Sequence, residues 1–127
     1  MSVTATEKAV FSFPTDPSTS PALFKLLRVT EKCRELATNM EAQTLQCLLL
    51  VAVKPGIRQA ELVELVGLAP SSVSRNVAML SEIFRPGIPG LGLVHSYIDP
   101  NNRRNRIIEL TEKGKAFLRE IEQIISR

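Results

Sequence analysis

The stretch from Gln59 to Arg75 limits the possible folds of this chain more than any other. Gln59–Val66 reads as a short helix, Gly67-Leu68-Ala69 break it, and Pro70 suits the first turn of a second helix running to Glu82. A glycine at the corner lets the chain turn sharply without a side-chain clash. On the second helix Val73, Val77 and Leu80 share a face and are expected to pack inward. Ser71, Ser72, Arg75, Ala78 and Met79 stand about half a turn away. Helix, tight glycine turn and helix together make a helix-turn-helix pattern. Small hydroxyls at a helix N-terminus allow close approach of phosphate, whose charge the helix dipole favours, which singles out Ser71, Ser72 and Ser74. Arg75, one turn in, can reach a base edge, where guanine O6/N7 is its commonest specific partner.

The flanking sequence builds a small domain around this unit. Residues 1–17 are polar, carry Pro14 and Pro17, and predict a loose arm ahead of one domain over 18–127. Ser20 before Pro21 is a helix-start signal, and Leu23, Leu26, Leu27, Thr30, Cys33 and Ala37 keep one face of that helix (20–37) largely apolar. Thr38 and Glu41 have the spacing of a capping box and are expected to open a second helix, apolar nearly all round from Leu45 to Val53 and therefore central. Lys54-Pro55-Gly56 stops it. The segment Ile83–Gly92 holds Pro86, Gly87, Pro89, Gly90 and Gly92, too many breakers for regular structure. Leu93–Ile98 and Arg104–Leu110 are rich in β-formers and flank Asp99-Pro100-Asn101-Asn102, so they predict a hairpin. Thr111 is expected to cap a last helix, 112–126. The expected class is mainly α with a small β-hairpin wing (α+β), a winged helix-turn-helix in the order α-α-α-α-β-β-α.

Charge distribution points to a polyanion. The net charge is only +3, but residues 54–106 hold seven Lys/Arg against four Asp/Glu, while the sequence on either side is balanced. Three of those seven are Arg103, Arg104 and Arg106, at and just after the hairpin tip. A basic excess confined to one surface suits a nucleic acid, and arginine is the residue expected where a narrow minor groove deepens the negative potential. Arg103 and Arg104 are therefore candidates for the groove and Arg106 for phosphate. Nothing supports catalysis: there is no nucleophile–base pair, no phosphate-cradling glycine loop and no close set of carboxylates. His95 lacks a partner at ligand spacing and reads as a strand residue, Cys47 as packing, and Cys33 as a thiol with only Lys32 and Arg34 beside it. No metal and no cofactor are expected. The longest apolar run, Cys47–Val53, is too short to cross a bilayer, and the N-terminus lacks a secretory pattern, so a cytoplasmic protein without membrane association is expected.

Asp99-Pro100-Asn101-Asn102-Arg103-Arg104 followed by Ile108-Glu109-Leu110-Thr111-Glu112-Lys113-Gly114 resembles the wing and following helix start of the MarR family of transcriptional regulators. Leu62–Arg75 resembles that family's helix-turn-helix, and Gly92-Leu93-Val94 the start of its wing; the resemblance covers roughly residues 40–118. It implies a homodimer binding double-stranded DNA at a pseudo-palindromic operator, often as a repressor. The chain departs from the pattern in four places. Asn102 stands where the family usually has an aspartate that orients a wing arginine. Arg58 stands where a capping Ser or Thr is common. The 83–92 link is long, and only one helix follows the wing. Dimerisation is expected through helices 20–37 and 112–126, with Leu23, Leu26, Leu27, Phe117, Leu118, Ile121, Ile124 and Ile125 as the apolar contact. The rival readings are a winged helix used for protein–protein contact in a phage or plasmid system, and an architectural or replication-control protein.

Overall fold

The computed structural model describes residues 20–127. These divide into two compact units, one taking in residues 20–40 together with Leu118–Arg127, the other Glu41–Phe117; the loose arm expected over residues 1–17 lies outside the described residues.

In the first unit, α1 (Pro21–Leu36) starts as its sequence dictates: Ser20 accepts the Ala22 N–H at 3.2 Å and Pro21 occupies the first turn. It runs beside the second half of α5 (Glu112–Ser126). Lys25 Nζ donates to the Ile125 carbonyl at 3.0 Å, and Lys32 lies 3.5 Å from both Glu120 and Glu35. Partial burial pulls the Lys32 pKa down, but the two carboxylates outweigh it and the net direction is up. Val29, Cys33, Leu118, Ile121 and Ile124 are buried.

The second unit contains α2 (Ala42–Val53), β1 (Ile57–Arg58), α3 (Gln59–Val66), α4 (Pro70–Leu80), β2 (Ile83–Arg85), β3 (Ile88–Pro89), β4 (Val94–Ile98), β5 (Arg106–Leu110) and the start of α5. Its core is the fully enclosed set Leu48, Val51, Ile57, Leu62, Val73, Leu80, Leu93, Val94 and Ile108, drawn from both the helices and the wing strands. Burial of each of these side chains contributes about 1.5–3 kcal/mol before entropy is counted. The wing pairs β4 with β5 antiparallel, from Val94↔Leu110 to Ile98↔Arg106. β1 adds a third strand on the other side of β5 through Ile57↔Ile108 and Arg58↔Ile107.

The helix-turn-helix corner forms as expected, with α3 on its predicted bounds and Gly67 at φ 71°, the left-handed region that closes a helix C-terminus. Four expectations need correction. The Thr38–Glu41 capping box is not made: Met40 N–H closes a turn onto the Ala37 carbonyl, α2 starts after Glu41, and the Glu41 carboxylate instead takes the Gln43 amide. α4 ends at Leu80, where Ser81 turns its hydroxyl back onto the Val77 carbonyl. Residues 83–92 are not irregular, since β2 and β3 form a small hairpin. Two of its breakers make the turn: Pro86 and Gly87, with Gly87 at φ 79°, have the order a type II turn requires between Arg85 and Ile88, while Pro89 ends the short β3 and Gly90 and Gly92 lie beyond it. Finally, the wing strands are shorter than predicted, beginning at Val94 and Arg106, and the two-residue β1 was not anticipated.

The wing is clamped to the last helix by a close approach. Thr111 donates its N–H to the Leu93 carbonyl (3.0 Å) and its hydroxyl to the Gly92 carbonyl (2.6 Å), and Thr111 Oγ1 caps α5 by accepting the Gly114 N–H (3.0 Å). A Cβ on Gly114 would overlap the Leu93 carbonyl oxygen. In an open helix, Gly→Ala gains up to about 1 kcal/mol. Here the clash with main chain, typically costing about 1–3 kcal/mol or more, outweighs it. Gly114→Ala is therefore expected to lower the midpoint of urea unfolding, and a midpoint at or above that of the unaltered protein would show that the Leu93 carbonyl can move aside.

Candidate nucleic-acid interface

Helix α4 presents two faces of different character. Val73, Val77 and Leu80 are buried as expected, while Ser71, Ser74 and Arg75 are exposed and Ser72 is half-buried. The Arg75 guanidinium has no ion-pair partner among the described residues, and with Ser72, Met79, Glu41 and Gln43 it borders a shallow hollow of about 60 Å³. The apolar stripe alone does not fix how the helix is rotated in its seat. A polar pair adds that constraint. Thr44, buried in the first turn of α2, donates its hydroxyl to Asn76 Oδ1 at 2.6 Å, and Asn76 Nδ2 donates to the Ser72 carbonyl one turn back at 2.8 Å. Both side chains are almost completely buried, so the pair holds the serine-bearing turn in register with α2. Sequence reasoning missed Asn76. The available signal was its position on the inward stripe, three residues after Val73, together with a threonine just before the apolar run of α2.

The wing tip spans Asp99 to Asn105 and is a closed turn. Asp99 N–H donates to the Asn105 carbonyl (2.9 Å), Asn102 N–H to the Asp99 carbonyl (3.2 Å) and Asn105 N–H to the Asn102 carbonyl (2.9 Å). The Asp99 carboxylate accepts the Asn101 N–H at 2.9 Å. Asn102 Oδ1 accepts the Arg104 main-chain N–H at 3.2 Å, so it shapes the backbone under a wing arginine instead of orienting a guanidinium. Arg103 and Arg104 are exposed, with no ion-pair partner among the described residues. Arg106 is tied along the strand, its guanidinium donating to Ser96 Oγ (3.0 Å) and to the Ser96 carbonyl (3.4 Å). α4 and the wing thus carry three uncompensated arginines, Arg75, Arg103 and Arg104, on one compact unit.

The remaining chemistry-bearing side chains are committed elsewhere. His95 does have an acidic partner after all, the cross-strand Glu109 at 3.5 Å, and its ring stacks on Tyr97. The Tyr97 hydroxyl donates to the same carboxylate at 2.9 Å, which raises its pKa above the ordinary phenol value. The hydrogen bond from Lys54 holds the Glu61 carboxyl below the usual carboxylate range, helped by the Arg58 N–H. Cys33 and Cys47 are buried free thiols whose pKa values burial raises. Among the described residues no three His, Cys, Asp or Glu side chains gather as a metal site, and no helix is long and apolar enough to cross a membrane.

Neither a family model nor a curated protein matches the chain. Solved structures do. MarR superposes with a TM-score of 0.57 at 25% identity, over 80% of this chain and 73% of that one. The transcriptional repressor CouR, solved bound to a 23-mer DNA duplex, gives 0.57 at 25% identity over 80% of this chain and 67% of its own. A MarR transcriptional regulator from Methanosarcina mazei Go1 gives 0.62 at 20% identity over 84% and 69%. The fold is the winged helix of MarR-type regulators. This chain spans between two-thirds and three-quarters of the length of these three. In this chain the β2–β3 hairpin lies between α4 and the wing.

If the Thr44–Asn76 pair sets the rotation of α4, Asn76→Ala leaves the buried Thr44 hydroxyl without its partner and should cost about 1–3 kcal/mol in denaturant unfolding. Combining it with Thr44→Val should cost less than the sum of the two single changes. Strict additivity would show that the two groups do not depend on each other.

Proposed function

We propose that the protein is a sequence-specific, double-stranded-DNA-binding transcriptional regulator, acting as a repressor in the cytoplasm and reading a pseudo-palindromic operator as a homodimer. The observation that carries this is the pairing of an exposed Arg75 on α4 with exposed Arg103 and Arg104 at the tip of a hydrogen-bonded wing, none of the three having an ion-pair partner among the described residues. The fold likeness to MarR and to the DNA-bound repressor CouR supports it. Ser71, Ser72 and Ser74 are assigned to phosphates and base edges at the N-terminal turn of α4, Arg75 to a base, and Arg103 and Arg104 to the adjacent minor groove. Asn102 shapes the tip, and Arg106 lies on the strand leading from it. The role is binding, not catalysis.

A dimer would rest on a smaller surface than the sequence alone suggests. Phe117, Leu118, Ile121 and Ile124 are buried within the chain itself, whereas Leu23, Leu26 and Leu27 on α1 and Ile125 on α5 are 62%, 60%, 45% and 56% exposed. The spacing of the three leucines makes one stripe, and we assign the partner contact to it and to Ile125.

Affinity for duplex DNA is expected to fall steeply with salt, because phosphate neutralisation supplies much of it. Arg75→Ala should cost about 1–3 kcal/mol on a selected operator and relax preference at one base pair per half-site. Equal losses on operator and random duplex in a competition assay would remove Arg75 from base reading. In sedimentation, Leu26→Glu with Ile125→Glu should give folded monomers with weak operator affinity. A monomer in the unaltered protein at micromolar concentration would place the assembly step on DNA.

A further inference from the structure

Arg58 belongs to two elements at once. Its backbone is the end of β1, paired with Ile107 of β5 in the wing sheet, and the next residue begins α3 of the helix-turn-helix. The base of Arg58 is fixed from the helix side, since its N–H donates to Glu61 Oε1 at 3.3 Å and Glu61 Oε2 is paired with Lys54. Its guanidinium reaches Asp99, with Nη2 at 3.8 Å from Oδ2. Asp99 is the first residue beyond the last ladder pair of the wing, Ile98↔Arg106, so the tip turn depends on what holds Asp99. That carboxylate is only 6% exposed, and its two oxygens have different duties: Oδ1 accepts the Asn101 N–H and Oδ2 faces Arg58. A buried carboxylate is costly without partners, and Arg58 is the one cation paired with it among the described residues.

We propose that Arg58 is the positioning residue of the wing: it holds Asp99, and through Asp99 the turn that carries Arg103 and Arg104, in a fixed relation to the helix-turn-helix. The effect on DNA rests on the binding function proposed above; the effect on the turn does not. Arg58 side chains are about half exposed, so the ion pair is of the screened kind, for which removal shifts a local opening equilibrium by up to about fivefold. Its consequence exceeds its strength because one contact orients two groove-facing arginines.

Two measurements test this. In amide hydrogen exchange on the free protein, Arg58→Ala should accelerate Asn101, Asn102, Arg104 and Asn105 by about threefold or more, while the amides of α4 keep their protection and so report an intact fold. Arg58→Lys, which keeps the charge without the planar fork, should restore part of the protection. Unchanged tip exchange in Arg58→Ala overturns the proposal. The second measurement uses a random-sequence duplex at low salt. Arg58→Ala should weaken binding about threefold or more in the unaltered background and add nothing once Arg103 and Arg104 are both alanine. A loss that adds fully to theirs would make Arg58 a phosphate contact in its own right and also overturn the positioning role. If the unaltered protein binds no duplex at all, the DNA-binding function fails, and the exchange experiment still decides the role of Arg58 in the turn.

Discussion

The main chain of Leu93 joins three parts of the winged unit. Its N–H donates to the Leu80 carbonyl (2.8 Å), the last residue of α4; its carbonyl accepts the Thr111 N–H (3.0 Å) and lies against Gly114 in the first turn of α5. Its side chain is completely buried. The end of the helix with the exposed serines and Arg75, the beginning of the wing and the beginning of the last helix therefore meet at one peptide. Close packing transmits displacement rather than absorbing it. A shift of Leu93 would carry both arginine-bearing elements with it, which is why a glycine is needed at position 114.

Polar interactions of two kinds are layered on that junction. Thr44–Asn76 is buried and short, and its strength comes from the cost of leaving either group without a partner. Arg58–Asp99 is long and half-exposed on the arginine side, and matters through what it orients. The first sets the rotation of α4 against α2, the second the pose of a turn that the strand ladder no longer reaches. Apolar burial alone, which is non-directional, could do neither.

Periodicity and turn chemistry carried most of the fold. Gly67 and Pro70 defined the helix-turn-helix corner, Ser20-Pro21 the start of α1, and the stripe Val73, Val77, Leu80 the buried face of α4, because each depends on neighbours a few residues away. The placing of Arg103 and Arg104 at the wing tip was legible for the same reason: a basic cluster after a β-run is local. The misses share a different cause. Asn76 finds its partner 32 residues away, Arg58 reaches Asp99 across the unit, and β1 exists only because β5 offers it an edge. In the Ile83–Gly92 segment Pro86 and Gly87 read singly as breakers, whereas side by side they specify a turn. Likewise the α5 stripe reads as a partner-seeking face from sequence, whereas most of it is consumed inside the chain.

The β2–β3 hairpin leaves the chain at Glu82 and returns at Gly90, whose N–H donates to the Glu82 carbonyl at 2.9 Å; Leu91 and Gly92 then donate to Met79 and Ser81. The excursion is stitched shut at its root, and Gly90 fits there because a Cβ would overlap the Ser81 carbonyl oxygen. Entropy of loop closure grows only slowly with loop length. The seven residues between those anchors, 83–89, are therefore a graft point. A longer turn at Pro86-Gly87, at the far end of the excursion, is expected to leave the helix that ends at Leu80 with its hydrogen-bonded terminus.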